Sequence, residues 1–111
     1  EERFALINEN IQHLKNVEVH IFDDLLVHYA DKMNANVIIR GLRAFSDFES
    51  EFQMSLMNRK LNSQINTIFM MPHEKYTHIS SSIVKEVCSL GGDIADYVPN
   101  SVLTALNKKY V

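Results

Sequence analysis

The sequence predicts an α/β domain on a parallel sheet with right-handed crossovers. Two observations carry this. Apolar, β-branched runs at residues 17–22, 35–39 and 67–71 alternate with segments of helical periodicity. Ala35-Asn36-Val37-Ile38-Ile39 is also so continuously apolar that burial on both faces is expected, as in an inner parallel strand.

The elements follow in order. Residues 1–14 have helical spacing, with Phe4, Ile7 and Ile11 on one stripe, and Val17–Phe22 follows as a short strand after the turn-prone Lys15-Asn16. A second helix is expected near Asp23-Asp24, where Leu26, Tyr29, Ala30 and Met33 form a packing face. After the strand at 35–39, residues 47–61 form a third helix with Phe48, Phe52 and Leu56 one turn apart and Ser46 or Asp47 as its cap. The strand at 67–71 stops at Pro72. Serines 80–82 lead into a helix at 83–90 closed by Gly91-Gly92, and a last helix at 99–109 opens on Pro99.

The chain has 111 residues, enough for one domain, and 46% of them are apolar. Its formal charge of −3 supplies no global attraction for a polyanion, so nucleic acid is not an expected partner and any phosphate recognition is local. No run of about 18 apolar residues is present to span a bilayer. The single cysteine, Cys88, has no internal disulfide partner, which fits a reducing compartment and makes the cytoplasm the expected location. It lies in an apolar helical stretch as an inert buried thiol. The five histidines have no compact metal spacing, and the methionines fit packing. No metal-binding residues are expected.

Three stretches carry candidate chemistry. Arg40 and Arg43 flank Gly41-Leu42 at the end of the 35–39 strand, where open α/β sheets bind ligands. Two guanidiniums there match phosphate oxygens, and Gly41 permits close approach; equally, Asp47, Glu49 or Glu51 are placed to pair with them and brace the loop. Asp47 and Glu51 are like charges one turn apart, an unfavourable pair unless a cation lies near. Glu51 is therefore either a ligand-positioning acid or a solvated acid at a helix start. Finally, Tyr76-Thr77-His78-Ile79-Ser80-Ser81-Ser82 offers hydroxyls and helix-start N–H groups for an anion, with Lys85 three residues on, or a simple serine cap.

Taken together, Ile39-Arg40-Gly41-Leu42-Arg43, Asp47-Phe48-Glu49, Glu51, Gln53-Met54, Met57-Asn58-Arg59, Ile79-Ser80-Ser81-Ser82, Val84-Lys85-Glu86-Val87, Gly92-Asp93 and Val98-Pro99 resemble the bacterial phosphopantetheine adenylyltransferases over essentially the whole chain. The resemblance implies a Rossmann-like nucleotidyltransferase fold with helices on both faces of a parallel sheet. It also implies a hexameric, Mg2+-using enzyme of coenzyme A biosynthesis that transfers AMP from ATP to 4′-phosphopantetheine, giving dephospho-coenzyme A and pyrophosphate. It assigns Leu26 and Arg40 to the phosphopantetheine site, and Gly41, Leu42, Arg43 and Glu51 to ATP. It also assigns Tyr76, Thr77, His78, Ile79, Ser80, Ser81 and Ser82 to ATP.

Two departures stand out. Ser50 occupies a position where the family often has tyrosine. The family's opening Gly-Ser/Thr-Phe-Asp-Pro segment, its Thr-x-Gly-His motif and the lysine that follows are not among these residues. Residues 1–111 are thus expected to be the carboxyl-terminal portion of one adenylyltransferase domain, without its first βα unit or its catalytic histidine and inactive by itself. The alternatives are a noncatalytic nucleotide-binding module and a structural assembly domain.

Overall fold

A computed structural model describes residues 1–111, the side chains of Phe45 and Ser46 excepted. The elements in chain order are α1 (Glu2–Asn10), α2 (Leu26–Lys32), β1 (Val37–Gly41), α3 (Phe45–Leu61), β2 (Asn66–Met70), α4 (Ser81–Ser89) and α5 (Asn100–Tyr110). They fall into two compact units, one of residues 1–21 with 79–111 and the other of residues 22–78. No helix among the described residues is long and apolar enough to cross a membrane.

In the unit of residues 22–78, β1 and β2 pair in parallel, from Val37 opposite Asn66 to Gly41 opposite Met70. α3 is the crossover between them, which makes this a βαβ unit. Its core is Val27 and Ala30, three residues apart on α2, packed with Ile38 and Ile65, and Leu26 is half-buried against them. Asn34 takes a left-handed conformation at φ 57 in the turn between α2 and β1, and the Ala35 N–H donates to the Ala30 carbonyl at 2.8 Å.

Several expectations are corrected here. Residues 17–22 form no strand, because a strand needs a ladder partner and none is present among the described residues; Glu18 and His20 pair with each other at 2.8 Å instead. Among the described residues the sheet therefore has two strands, where three were expected. The expected two-sided burial of the 35–39 run also fails. Ile38 is buried but Ile39 is 63% exposed, and Ile68, its register partner, is 49% exposed. A continuous apolar run marks a strand's propensity without saying how many of its faces are covered.

The helix starts also differ from the sequence reading. α2 begins at Leu26 with Leu25 as its cap, and Asp24 accepts the Leu25 N–H at 2.7 Å from outside the helix. α3 begins at Phe45, so its cap is Ala44 and Asp47 lies in the first turn. The expected cap Ser46 lies outside the described residues.

In the unit of residues 1–21 and 79–111, Val84 and Cys88, one turn apart on α4, close on Ile94. Leu103, Leu106 and Tyr110 of α5 pack against this cluster, together with Ile79 and Val98. Cys88 and Ile94 are each 1% exposed, so the thiol is buried as expected. α1 runs only to Asn10, and of its predicted stripe Phe4 and the flanking Ile11 are half-buried while Ile7 is exposed. The Asn10 amide links α1 to α5 by donating to the Ser101 hydroxyl at 2.8 Å.

α4 ends as the Gly91-Gly92 pair requires. Gly91 has φ 82, its N–H donates to the Cys88 carbonyl at 3.1 Å, and the Gly92 N–H donates to the Val87 carbonyl at 2.8 Å. This is a Schellman closure, whose left-handed residue is ordinarily glycine because a Cβ there clashes with the following carbonyl. Gly91→Ala is therefore expected to cost about 1 kcal/mol. Urea denaturation checks this, and an unchanged midpoint contradicts it.

Candidate functional site

The parallel register puts the carboxyl ends of β1 and β2 side by side. The Leu42 N–H donates to the Met70 carbonyl at 3.0 Å, carrying the pairing one residue past β1. Arg40 is the penultimate residue of β1 and Arg43 lies just beyond it, so both occupy the sheet edge where a βαβ unit offers a ligand crevice.

The first two turns of α3 meet these arginines. Arg40 Nε donates to Glu51 Oε2 at 2.9 Å and Arg40 Nη2 donates to Glu51 Oε1 at 2.6 Å. This is a fork-on-fork pair, the strongest form of side-chain charge contact. The Arg43 N–H donates to Asp47 Oδ2 at 3.2 Å, and Arg43 Nε lies 3.5 Å from the same oxygen. Of the two alternatives left by the sequence, the geometry shows the brace: Arg40 pairs with Glu51 and Arg43 with Asp47 at the carboxyl end of β1. Arg40 remains 48% exposed, whereas Glu51 is 19% exposed beneath it.

Electrostatics explains why two acids one turn apart are tolerated. Hydrogen bonds from Arg40 hold the Glu51 carboxyl below its ordinary value of 4.5; burial opposes them, the Arg40 charge assists and nearby Asp47 works the other way. The same bonds raise Arg40, again against burial. Each acid has an arginine, which relieves the repulsion between them.

Other assigned residues have plainer surroundings. Leu26 opens α2 and packs on the core. Tyr76 ends a single 3-10 turn, Glu74–Tyr76, with Lys75 Nζ 5.5 Å from its ring centroid. The Thr77 hydroxyl donates to the Glu74 carbonyl at 2.8 Å, and His78 is exposed. The boundary between the two units falls just after His78.

In the other unit, Ser80 caps α4, its Oγ accepting the Ile83 N–H at 3.2 Å. Ile79, Ser80 and Ser81 line a cavity of about 510 Å3 together with Lys85. Its walls include Leu6, Val84, Val98 and Leu106, and its charged lining is mixed, with Arg3 and Lys109 beside Glu1 and Glu2. Sequence reasoning missed Arg3 and Lys109, because α1 and α5 carry no phosphate-type motif. Their only signal is cationic residues at the outer turns of amphipathic helices. Among the described residues, no group of three His, Cys, Asp or Glu side chains could hold a metal ion.

Comparison with known proteins matches residues 1–87 to the cytidylyltransferase-like family. The phosphopantetheine adenylyltransferase of Staphylococcus haemolyticus is 53% identical over 110 residues, 99% of this chain and 68% of that protein. The chain belongs to the phosphopantetheine adenylyltransferase family. The family member of Alkaliphilus metalliredigens is 52% identical over 97% of this chain and 69% of its own length. That of Heliobacterium modesticaldum is 49% identical over 99% of this chain and 66% of its own. Membership in the phosphopantetheine adenylyltransferase family agrees with the α/β architecture expected from the sequence and with the parallel βαβ unit.

The depressed Glu51 carboxyl gives a pH test. Because its folded value lies below the unfolded one, the stabilisation from the Arg40–Glu51 pair is complete above about pH 4.5 and is lost as pH falls through the folded value. Glu51→Gln is expected to lower stability by about 1 kcal/mol at pH 7. The difference from the parent should shrink in acid below pH 4.5, and a pH-independent difference contradicts the assignment.

Proposed function

We propose that this chain serves a cytoplasmic phosphopantetheine adenylyltransferase in coenzyme A biosynthesis, transferring AMP from ATP to 4′-phosphopantetheine. The observation that carries this reading is the paired arginine edge, Arg40 and Arg43 on Glu51 and Asp47, in a chain 53% identical to a protein of that name. In the proposed reaction a phosphate oxygen of 4′-phosphopantetheine attacks the α-phosphorus of ATP. A new P–O bond forms as the bond to the bridging oxygen breaks, releasing pyrophosphate and leaving dephospho-coenzyme A.

No side-chain nucleophile is required, so the protein acts by alignment and charge stabilisation. Arg40 is proposed to hold the phosphopantetheine phosphate, with Leu26 of α2 contributing near the same site. Gly41, Leu42 and Arg43 receive ATP, Arg43 at its phosphates, and Glu51 contributes at the same edge. Residues Tyr76, Thr77, His78, Ile79, Ser80, Ser81 and Ser82 supply the other nucleotide contacts, with Lys85 lining the same cavity as Ser80 and Ser81.

The family's Mg2+ does not fit a protein-held site here. Asp47 and Glu51 are both engaged by arginines, and Mg2+ ordinarily rides on substrate phosphates with one or two carboxylates. The proposed assembly is a homohexamer.

Pyrophosphate release from ATP plus 4′-phosphopantetheine tests the reading in the full-length protein. Arg40→Ala is expected to raise the KM for phosphopantetheine about tenfold or more with a smaller effect on ATP, and Arg43→Ala to do the reverse. Equal losses for both substrates contradict this division of labour. Saturable ATP binding without pyrophosphate indicates a noncatalytic nucleotide module instead, and no ATP binding indicates an assembly domain.

A further inference from the structure

We propose that Asp47 is a positioning residue that aims Arg43. The inference rests on the reading above that Arg43 receives ATP phosphates. One carboxylate oxygen, Asp47 Oδ2, stands 3.2 Å from the Arg43 backbone N–H and 3.5 Å from Arg43 Nε. The first contact restrains the loop backbone and the second restrains the direction of the guanidinium. A single atom therefore ties the loop's path to the side chain's heading.

Asp47 is itself well anchored. It lies in the first turn of α3, its N–H donates to the Ala44 carbonyl at 3.1 Å, and its side chain is 31% exposed against 46% for Arg43. The cap residue Ala44 makes no side-chain hydrogen bond, so Asp47 reaches back past it, much as the acid of a capping box does. Its negative charge is favoured at the positive end of the helix. The short aspartate arm also has few rotamers to lose. Glu51 cannot take over this task, because both its oxygens are engaged by Arg40.

The test uses Asp47→Ala, which removes both contacts, and Asp47→Asn, which keeps an oxygen for the N–H but loses the charge. Expected for Asp47→Ala is a rise of roughly three- to tenfold in the KM for ATP, with the phosphopantetheine KM within about twofold of the parent. Asp47→Asn should fall between the two. A purely structural role instead predicts a lower melting temperature with both KM values unchanged, and that result overturns the proposal.

Nitrogen-15 relaxation of Arg43 Nε–H in the unliganded protein provides a readout independent of activity. It should show faster motion in Asp47→Ala and not in a Ser50→Ala control. Unchanged Nε–H motion in Asp47→Ala also overturns the proposal. Absence of pyrophosphate release by the parent protein would count against the proposed reaction, while the relaxation measurement would still decide the role of Asp47.

Discussion

Two guanidiniums three residues apart at one strand end repel each other, and the local structure answers that repulsion with a carboxylate for each. The helix period supplies the acids: Asp47 and Glu51 are four residues apart on α3, and Arg43 and Arg40 meet them in that order. The pairing needs the parallel register of β1 and β2, which holds the end of β1 in place through the Leu42–Met70 bond. Removing either acid would take away the carboxylate contact that restrains its arginine. The result is a preorganised edge, and an anion arriving there meets side chains whose directions are already restrained.

Much of this was legible in the sequence. The arginines, the glycine between them and the acids at helical spacing were all visible, as was their pairing as one of two alternatives. What sequence could not choose was whether Glu51 would stand free or lie under Arg40, since that depends on which rotamers the βαβ crossover brings together. Gly91 was equally readable, because a left-handed residue after an amphipathic helix has few substitutes. The failures have a common cause. Val17–Phe22 and Val37–Ile39 have strand propensity, but ladder partners and covered faces are tertiary properties that a local run does not encode.

Helix starts were legible only approximately. Asp24 and Asp47 both have the composition of caps, yet each bonds the backbone from a neighbouring position, Asp24 outside α2 and Asp47 inside α3. Short acidic side chains reach donors on either side, so composition fixes a helix start only to within a residue or two. At Asp47 the displacement has a structural consequence, because a true cap would bond α3's own first-turn N–H groups, whereas Asp47 bonds the Arg43 N–H of the arginine loop. The cavity lined by Ser80, Ser81, Lys85 and Lys109 was invisible for a different reason: its walls come from segments at opposite ends of the chain.

We propose that the braced arginines at the end of β1 serve two phosphate-bearing substrates. A crystal structure of the full-length protein with ATP and 4′-phosphopantetheine tests it most directly. Triphosphate oxygens are expected within hydrogen-bond distance of Arg43 and the phosphopantetheine phosphate on Arg40, with Asp47 still on the Arg43 loop. Both substrates bound with Arg40 and Arg43 contacting neither would contradict it and leave the two pairs as a brace for the loop alone.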